Sequence, residues 1–207
     1  MKLTLKICGV ISLISMGLLM ANPGYAQRSP SPCSNENPEQ PSSTRREITN
    51  GEYGLRFQIP ANYQTELRRD TEAPRKVWIS IRNPTDTAFL DCATRNRLIG
   101  AGHQVSDVVV TIEPLSANIR SAGDVLRAAR SVPNLEIVES NVTTIAGQDA
   151  IIYTQQSVYP DRSRMAAFIH PDRQHLVKIF VWDYGTALSE IDLEVMDMVI
   201  SSLRLDR

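Results

Sequence analysis

RMAAFIHPDRQHLVKIFVWD, residues 164–183, is the stretch that decides the fold. In its second half Val177, Ile179 and Val181 alternate with Leu176, Lys178, Phe180 and Trp182, the two-residue period of a β-strand. Both sets are largely apolar, as in a strand whose sheet is covered on both faces. Arg164–His170 is a second strand, and Pro171-Asp172-Arg173-Gln174 between them is turn chemistry. The pair predicts an antiparallel hairpin in a sheet that carries helices on each side.

The same patterns extend outward. Upstream, Leu135–Ile145 and Ala150–Val158 flank Ala146-Gly147-Gln148-Asp149 and predict another hairpin. Ser121 or Gly123 starts a short helix carrying Val125, Leu126, Ala128 and Ala129, and Pro133 forbids its continuation. Val108–Ile112 is β-branched and continuous like a buried strand, and Pro114 closes it. Val77, Ile79 and Ile81 alternate with Trp78 and Ser80 in a strand ended by Asn83-Pro84. Leu55, Phe57 and Ile59 form another, which follows the Asn50-Gly51 turn signal and stops at Pro60. Ala61–Glu66 reads as a short helical or turn segment. Asp86–Gln104 is open to three readings: a short strand near Phe89–Cys92, a helical turn, or an irregular excursion.

Downstream, Ala187–Ser202 predicts a helix with Leu188, Ile191, Val195, Met198 and Ser202 along one stripe. Glu190, Glu194 and Asp197 lie on another face, where acidic residues are ordinarily solvated. Strands, one short helix, a run of antiparallel strands and a terminal helix make an α+β fold. The predicted architecture is an α/β/α sandwich with a central, mostly antiparallel sheet.

The N-terminus carries an address. Lys2 and Lys6 precede the apolar run Ile7–Met20, and Gly24 and Ala26 supply small residues for cleavage before Gln27. The run is too short for an ordinary spanning helix, and Cys8 lies inside it rather than at the cleavage point. Residues 1–26 therefore read as a signal peptide. Residues 27–46, rich in Pro and Ser, read as a disordered leader, and residues 47–207 as the folded domain. Removing Lys2 and Lys6 from a chain of net charge −1 leaves −3, which argues against a nucleic-acid binder. Lys76 and Lys178 are then the only lysines among many arginines, a composition that suits bidentate polar docking.

Two cysteines survive cleavage, Cys33 and Cys92. In an oxidising compartment they are a candidate disulfide, while two unpaired thiols are the other reading, since pairing depends on geometry.

Three stretches resemble the PsbP-like family, named for the extrinsic subunit of the photosystem II oxygen-evolving complex. Tyr53-Gly54-Leu55-Arg56-Phe57-Gln58-Ile59-Pro60, followed by Ala61-Asn62-Tyr63, resembles the family's opening strand. Ile145-Ala146-Gly147-Gln148-Asp149-Ala150, running into Tyr153, resembles its turn before an aromatic strand. Met198-Val199-Ile200-Ser201-Ser202-Leu203-Arg204 resembles its closing helix. The similarity spans about residues 47–207. It implies an α/β/α sandwich in a thylakoid lumen or periplasm, usually without catalysis. Asp86–Gln104 has no counterpart in that pattern, so no binding residue transfers from it.

Candidate chemistry is sparse. His170 and His175 flank a turn that contains Asp172, close enough for two imidazoles and a carboxylate to share a divalent metal; the alternative is an exposed, polar hairpin end. Arg68, Arg69, Arg75, Arg95 and Arg97 flank the illegible segment and are candidate partner-binding residues if it folds back beside the second strand. No phosphate loop, nucleophile elbow or zinc-protease motif occurs, so no catalytic residue is assigned. The leading expectation is an exported, non-catalytic accessory protein, peripheral to the membrane, docking on a membrane protein complex from its lumenal or periplasmic side. Photosystem II is the natural complex if the source is photosynthetic. The alternative is a metal-binding or carrier protein built on the His170–His175 hairpin. Intact-mass measurement of the exported protein is expected to give an N-terminus at Gln27 and no acyl group; retention of Met1 would contradict the export signal.

Overall fold

β1 (Arg45–Asn50) and β2 (Leu55–Pro60) pair antiparallel with Ile48 opposite Phe57. A turn at residues 61–62 leads into β3 (Gln64–Arg69), which pairs antiparallel with β4 (Val77–Arg82). α1 (Pro84–Arg95), β5 (Asp107–Pro114) and α2 (Ala122–Arg130) follow. Next come β6 (Leu135–Ile145), β7 (Gln148–Ser157), β8 (Arg162–Ile169) and β9 (His175–Asp183). α3 (Glu190–Ser202) and the two-residue β10 (Arg204–Leu205) close the chain. This computed structural model describes residues 33–70, 75–98, 105–159, 161–183 and 188–206, all within the unit Pro32–Arg207. The expected signal peptide, the first residues of the expected leader, and His103 lie outside them.

Two sheets result. The larger has the order β3-β4-β5-β9-β8-β7-β6, and all of its pairings are antiparallel. The smaller is β1-β2-β10. Alternation along β9 sets the layers. Val177, Ile179 and Val181 point into the main core with Val108, Val110 and Ile112 of β5, and α3 and β2 cover that face through Val195, Met196, Val199, Phe57 and Ile59. Leu176 points the other way and joins Ile151, Tyr153 and Ala167 beneath Ile119, Ala122 and Val125 of the α2 region. The fold is therefore α+β with helices on both faces of an antiparallel sheet, and one outer layer is completed by the small second sheet.

Turn chemistry is local. Ala146 and Gly147 both take positive φ, 50° and 76°, the requirement of a two-residue hairpin turn. The connection is thus tighter than the four residues expected. At Gly54 (φ +60°) a Cβ would lie 2.9 Å from the carbonyl oxygen of Asp206, which packs on it as β10 returns.

Several expectations are corrected. Ala61–Glu66 is a turn and the start of β3, not a helix, because β4 offers the segment an edge to pair with. The ambiguous 86–104 region holds α1 up to Arg95, and residues 99–104 lie outside the description. Pro84, which reads as a strand stop, is also favourable at a helix N-terminus, and the Asn83 side chain caps it by accepting from Thr85 N–H. The core stripe of α3 is Val195, Met196 and Val199 with Asp192, rotated from the one expected. Ser189 caps that helix, so it begins three residues later than Ala187.

The leader is also corrected over residues 33–46. Asn83 Nδ2 donates to the Glu39 carbonyl at 2.8 Å, Glu39 N–H donates to Thr85 Oγ1 at 2.9 Å, and Ser42 N–H donates to Asn62 Oδ1 at 2.9 Å. These bonds hold a polar, proline-rich strap that has no apolar stripe of its own, and β1 already begins at Arg45. Cys33 is buried and bonded to Cys92 of α1, closing a separation of 59 residues. Replacing both cysteines by Ser is expected to lower the unfolding free energy by about 4 kcal/mol on the loop-entropy account. The check is denaturant unfolding of both proteins, with thiol titration of the unreduced, denatured wild type; two titratable thiols would refute the bond.

Candidate functional site

The β8–β9 turn gathers the two histidines. His170 N–H donates to the His175 carbonyl at 2.9 Å and closes the loop, while Arg173 takes a positive φ of 56° to complete it. Inside the turn, Asp172 Oδ1 accepts from Gln174 N–H at 2.8 Å and from His175 N–H at 3.2 Å. Its other oxygen, Oδ2, lies 3.0 Å from His170 Nδ1 and 2.6 Å from His175 Nδ1. Burial opposes ionisation of Asp172, but the Gln174 N–H and the two imidazoles outweigh it and bring its pKa down to about 2. The turn of residues 51–54 buttresses the pair: the Tyr53 carbonyl lies 2.9 Å from His170 Nε2, and the Tyr53 ring meets that of His175 edge-on at 4.9 Å. The three predicted ligands are thus together, with ligating atoms within 4.8 Å of one another.

The five predicted arginines fall into three groups. Arg68 forks onto Glu66 at 2.8 and 3.1 Å, beside the bidentate Arg82–Asp107 pair. Arg69 pairs with Glu52 at 3.0 Å. Burial and Glu52 raise the Tyr53 phenol, and Arg69 and Arg75 both act against that rise, so these two approach one point. Arg95 ends α1, and Arg97 takes the left-handed conformation (φ 55°) just after it, a capping position.

A surface that the alternation signal hid lies beyond α2. Strand register puts Trp78, Thr111 and Lys178 in one row and Ser80, Val109, Phe180 and Met165 in the next, on the face opposite the main core. α2 packs on β6, β7 and β8, and on β9 it reaches Leu176. Phe180 is accordingly half-buried and Trp182 is 44% exposed, which corrects the expectation that both faces of β9 are covered. Trp78 meets Phe180 edge-on with centroids 6.3 Å apart, and Lys76 Nζ sits 3.9 Å over the Trp78 ring. Lys76 and Lys178 both pair with Glu113; burial raises its carboxyl, but the two ammonium groups overcome that and leave it below the usual range. An apolar notch of about 240 Å³ continues the surface, lined by Leu135, Met165, Phe180 and Trp182 with Arg162. The legible signal was Trp and Phe at alternate positions of the strand; what was missing was the extent of α2.

A second cleft, of about 380 Å³, is lined by Asn83, Asp86, Ser106, Trp182, Asp183 and Asp192. Burial pushes Asp192 up to about 6, aided by the nearby Asp86 charge and opposed by hydrogen bonds from Ser106 and Ser189. Burial also raises Asp86, against a 2.7 Å hydrogen bond from Asn35.

Among known proteins, no family model matches the chain and no curated protein does. A solved structure that is similar is the solution structure of cyanobacterial PsbP (CyanoP) from Synechocystis sp. PCC 6803, with a TM-score of 0.47 and 12% identity, covering 85% of this chain and 98% of that one. Among the described residues, no helix is long and apolar enough to cross a membrane.

Because the folded pKa of Asp192 lies above its unfolded value of 3.8, the folded state holds its proton more tightly. The associated stability is present below about pH 4 and is lost as pH rises through about 6. Asp192→Asn is expected to nearly match wild type at pH 4 and to exceed it by roughly 3 kcal/mol at pH 7.5. Denaturant midpoints at the two pH values test this, and equal midpoints at pH 7.5 would contradict it.

Proposed function

We propose that this chain is an exported, non-catalytic accessory protein that docks peripherally on a membrane protein complex from its lumenal or periplasmic side. The observation that carries the reading is the half of the large sheet that, among the described residues, α2 leaves uncovered. Trp78, Phe180, Met165 and Trp182 form an apolar centre there, rimmed by Arg68, Lys76, Arg82 and Lys178 with their acidic partners. Aromatic and arginine side chains around a desolvatable notch are the groups that concentrate binding energy at protein interfaces. A rigid antiparallel sheet presents them with little ordering left to do on association.

Photosystem II is the complex favoured within this reading. Its support is the resemblance of the Tyr53–Tyr63, Ile145–Tyr153 and Met198–Arg204 stretches to the PsbP-like family, together with the export signal over residues 1–26. The rim charges make association sensitive to salt, since exposed pairs are screened.

Co-sedimentation of the exported protein with membranes from its source is expected at low salt, with release as ionic strength rises. Trp182→Ala and Arg68→Glu each involve exposed side chains and are expected to weaken association at least tenfold, in line with loss of an interface anchor. Replacing His170 and His175 by Ala leaves it unchanged. Free solubility at low salt, or full binding by the Trp182 and Arg68 variants, would overturn the reading.

A further inference from the structure

The β8–β9 turn brings two imidazoles onto one carboxylate. His170 Nε2 lies 2.9 Å from the Tyr53 carbonyl oxygen, which only accepts, so Nε2 carries a hydrogen. In the neutral ring Nδ1 then holds a lone pair. That nitrogen faces Asp172 Oδ2 at 3.0 Å. The Asp172 backbone N–H also points at Nδ1, at 3.4 Å. His175 Nδ1 converges on the same oxygen at 2.6 Å. Asp172 Oδ1 is already taken by the Gln174 and His175 N–H groups. Two ring nitrogens and one carboxylate oxygen therefore meet at one point.

We propose that His170, Asp172 and His175 form a zinc site, in which His170 Nδ1, Asp172 Oδ2 and a ring nitrogen of His175 bind Zn²⁺ and the fourth position takes water. The donor set favours a borderline divalent metal over a hard one. Two imidazoles and one carboxylate match borderline Zn²⁺, whereas Mg²⁺ and Ca²⁺ require a shell of oxygens. The spacing fits: tetrahedral ligands at about 2.0–2.1 Å from zinc stand about 3.3 Å apart, and the ligating atoms here lie within 4.8 Å of one another. Reaching that separation lengthens the 3.0 Å contact by about 0.3 Å and the 2.6 Å contact by about 0.7 Å, and leaves the third ligand pair to adjust from within 4.8 Å.

An outer shell is already in place. A ligating histidine typically donates its other N–H to a carbonyl or carboxylate, which fixes the tautomer; His170 does so to Tyr53. The Tyr53 ring orients His175 from the same turn, and two backbone N–H groups hold the Asp172 carboxylate in place. The His170 side chain is only 11% exposed, while Asp172 at 32% leaves a path for the ion and its water.

Isothermal titration of EDTA-stripped, exported protein with ZnCl₂ is expected to show one Zn²⁺ per chain at micromolar concentration, with no comparable heat from MgCl₂. His175→Ala and Asp172→Asn should each lower zinc affinity at least tenfold. A measurement on the unmutated chain stands beside these: long-range ¹H–¹⁵N spectra of the imidazoles should show His170 Nδ1 moving to a metal-bound shift as zinc is added. Unchanged zinc affinity in His175→Ala, or a His170 Nδ1 resonance that stays put at saturating zinc, would overturn the assignment. So would the absence of zinc binding.

Discussion

The pairing of β5 with β9 joins the molecule. Val108 faces Val181, Val110 faces Ile179 and Ile112 faces Val177, six side chains that are essentially fully buried. On one side of this ladder lie β3 and β4, and on the other the meander of β8, β7 and β6. Antiparallel β-branched pairs of this kind combine ladder hydrogen bonds with close side-chain packing. The two strands are far apart in sequence, so their pairing closes a long loop, and much of the topology forms only once that entropy has been overcome. α3 then lies across both strands and seals the core with Val195, Met196 and Val199.

A second constraint is polar. Asn83 caps α1, donates to the Tyr63 hydroxyl at 3.0 Å and to the Glu39 carbonyl at 2.8 Å, and accepts from Glu39 N–H at 3.2 Å. Such a fully bonded buried amide specifies one arrangement, because any alternative leaves donors and acceptors unpaired. Through it, β4, α1 and the strap of residues 33–44 share one fixed geometry, and the Cys33–Cys92 bond fastens the strap's far end to the same helix. A segment with no apolar face of its own is ordered in this way by the body it crosses.

The large sheet is asymmetric, and its candidate sites follow from that asymmetry. One face is sealed by α3 and the small sheet; the other carries α2 over part of its width and presents Trp78, Phe180 and Trp182 over the rest. At the far end of β9 the His170–His175 turn leans on Tyr53, which comes from the turn between β1 and β2. The notch at Trp182 and the His170–His175 turn stand at opposite ends of β9, so a docking role and a metal role place separate demands on the structure.

β2, β4, β5, both late hairpins, α2 and the terminal helix were legible in the chain because period-two alternation, turn residues and proline stops act over a few residues. The convergence of His170, Asp172 and His175 was legible for the same reason: a six-residue span closed by one hairpin has little freedom. α1 was not legible, since Asn83-Pro84 reads equally as a strand end and a helix cap, and only the contacts with Tyr63 and Glu39 select the cap. The ordering of residues 33–46 and the burial of Asp192 were hidden as well, because both depend on partners distant in sequence. So was the open half of the sheet. By itself the sequence determined which side chains share a face of each strand; tertiary structure decided what covers that face. Alternation is a property of the local backbone, whereas coverage depends on where a helix tens of residues away comes to rest.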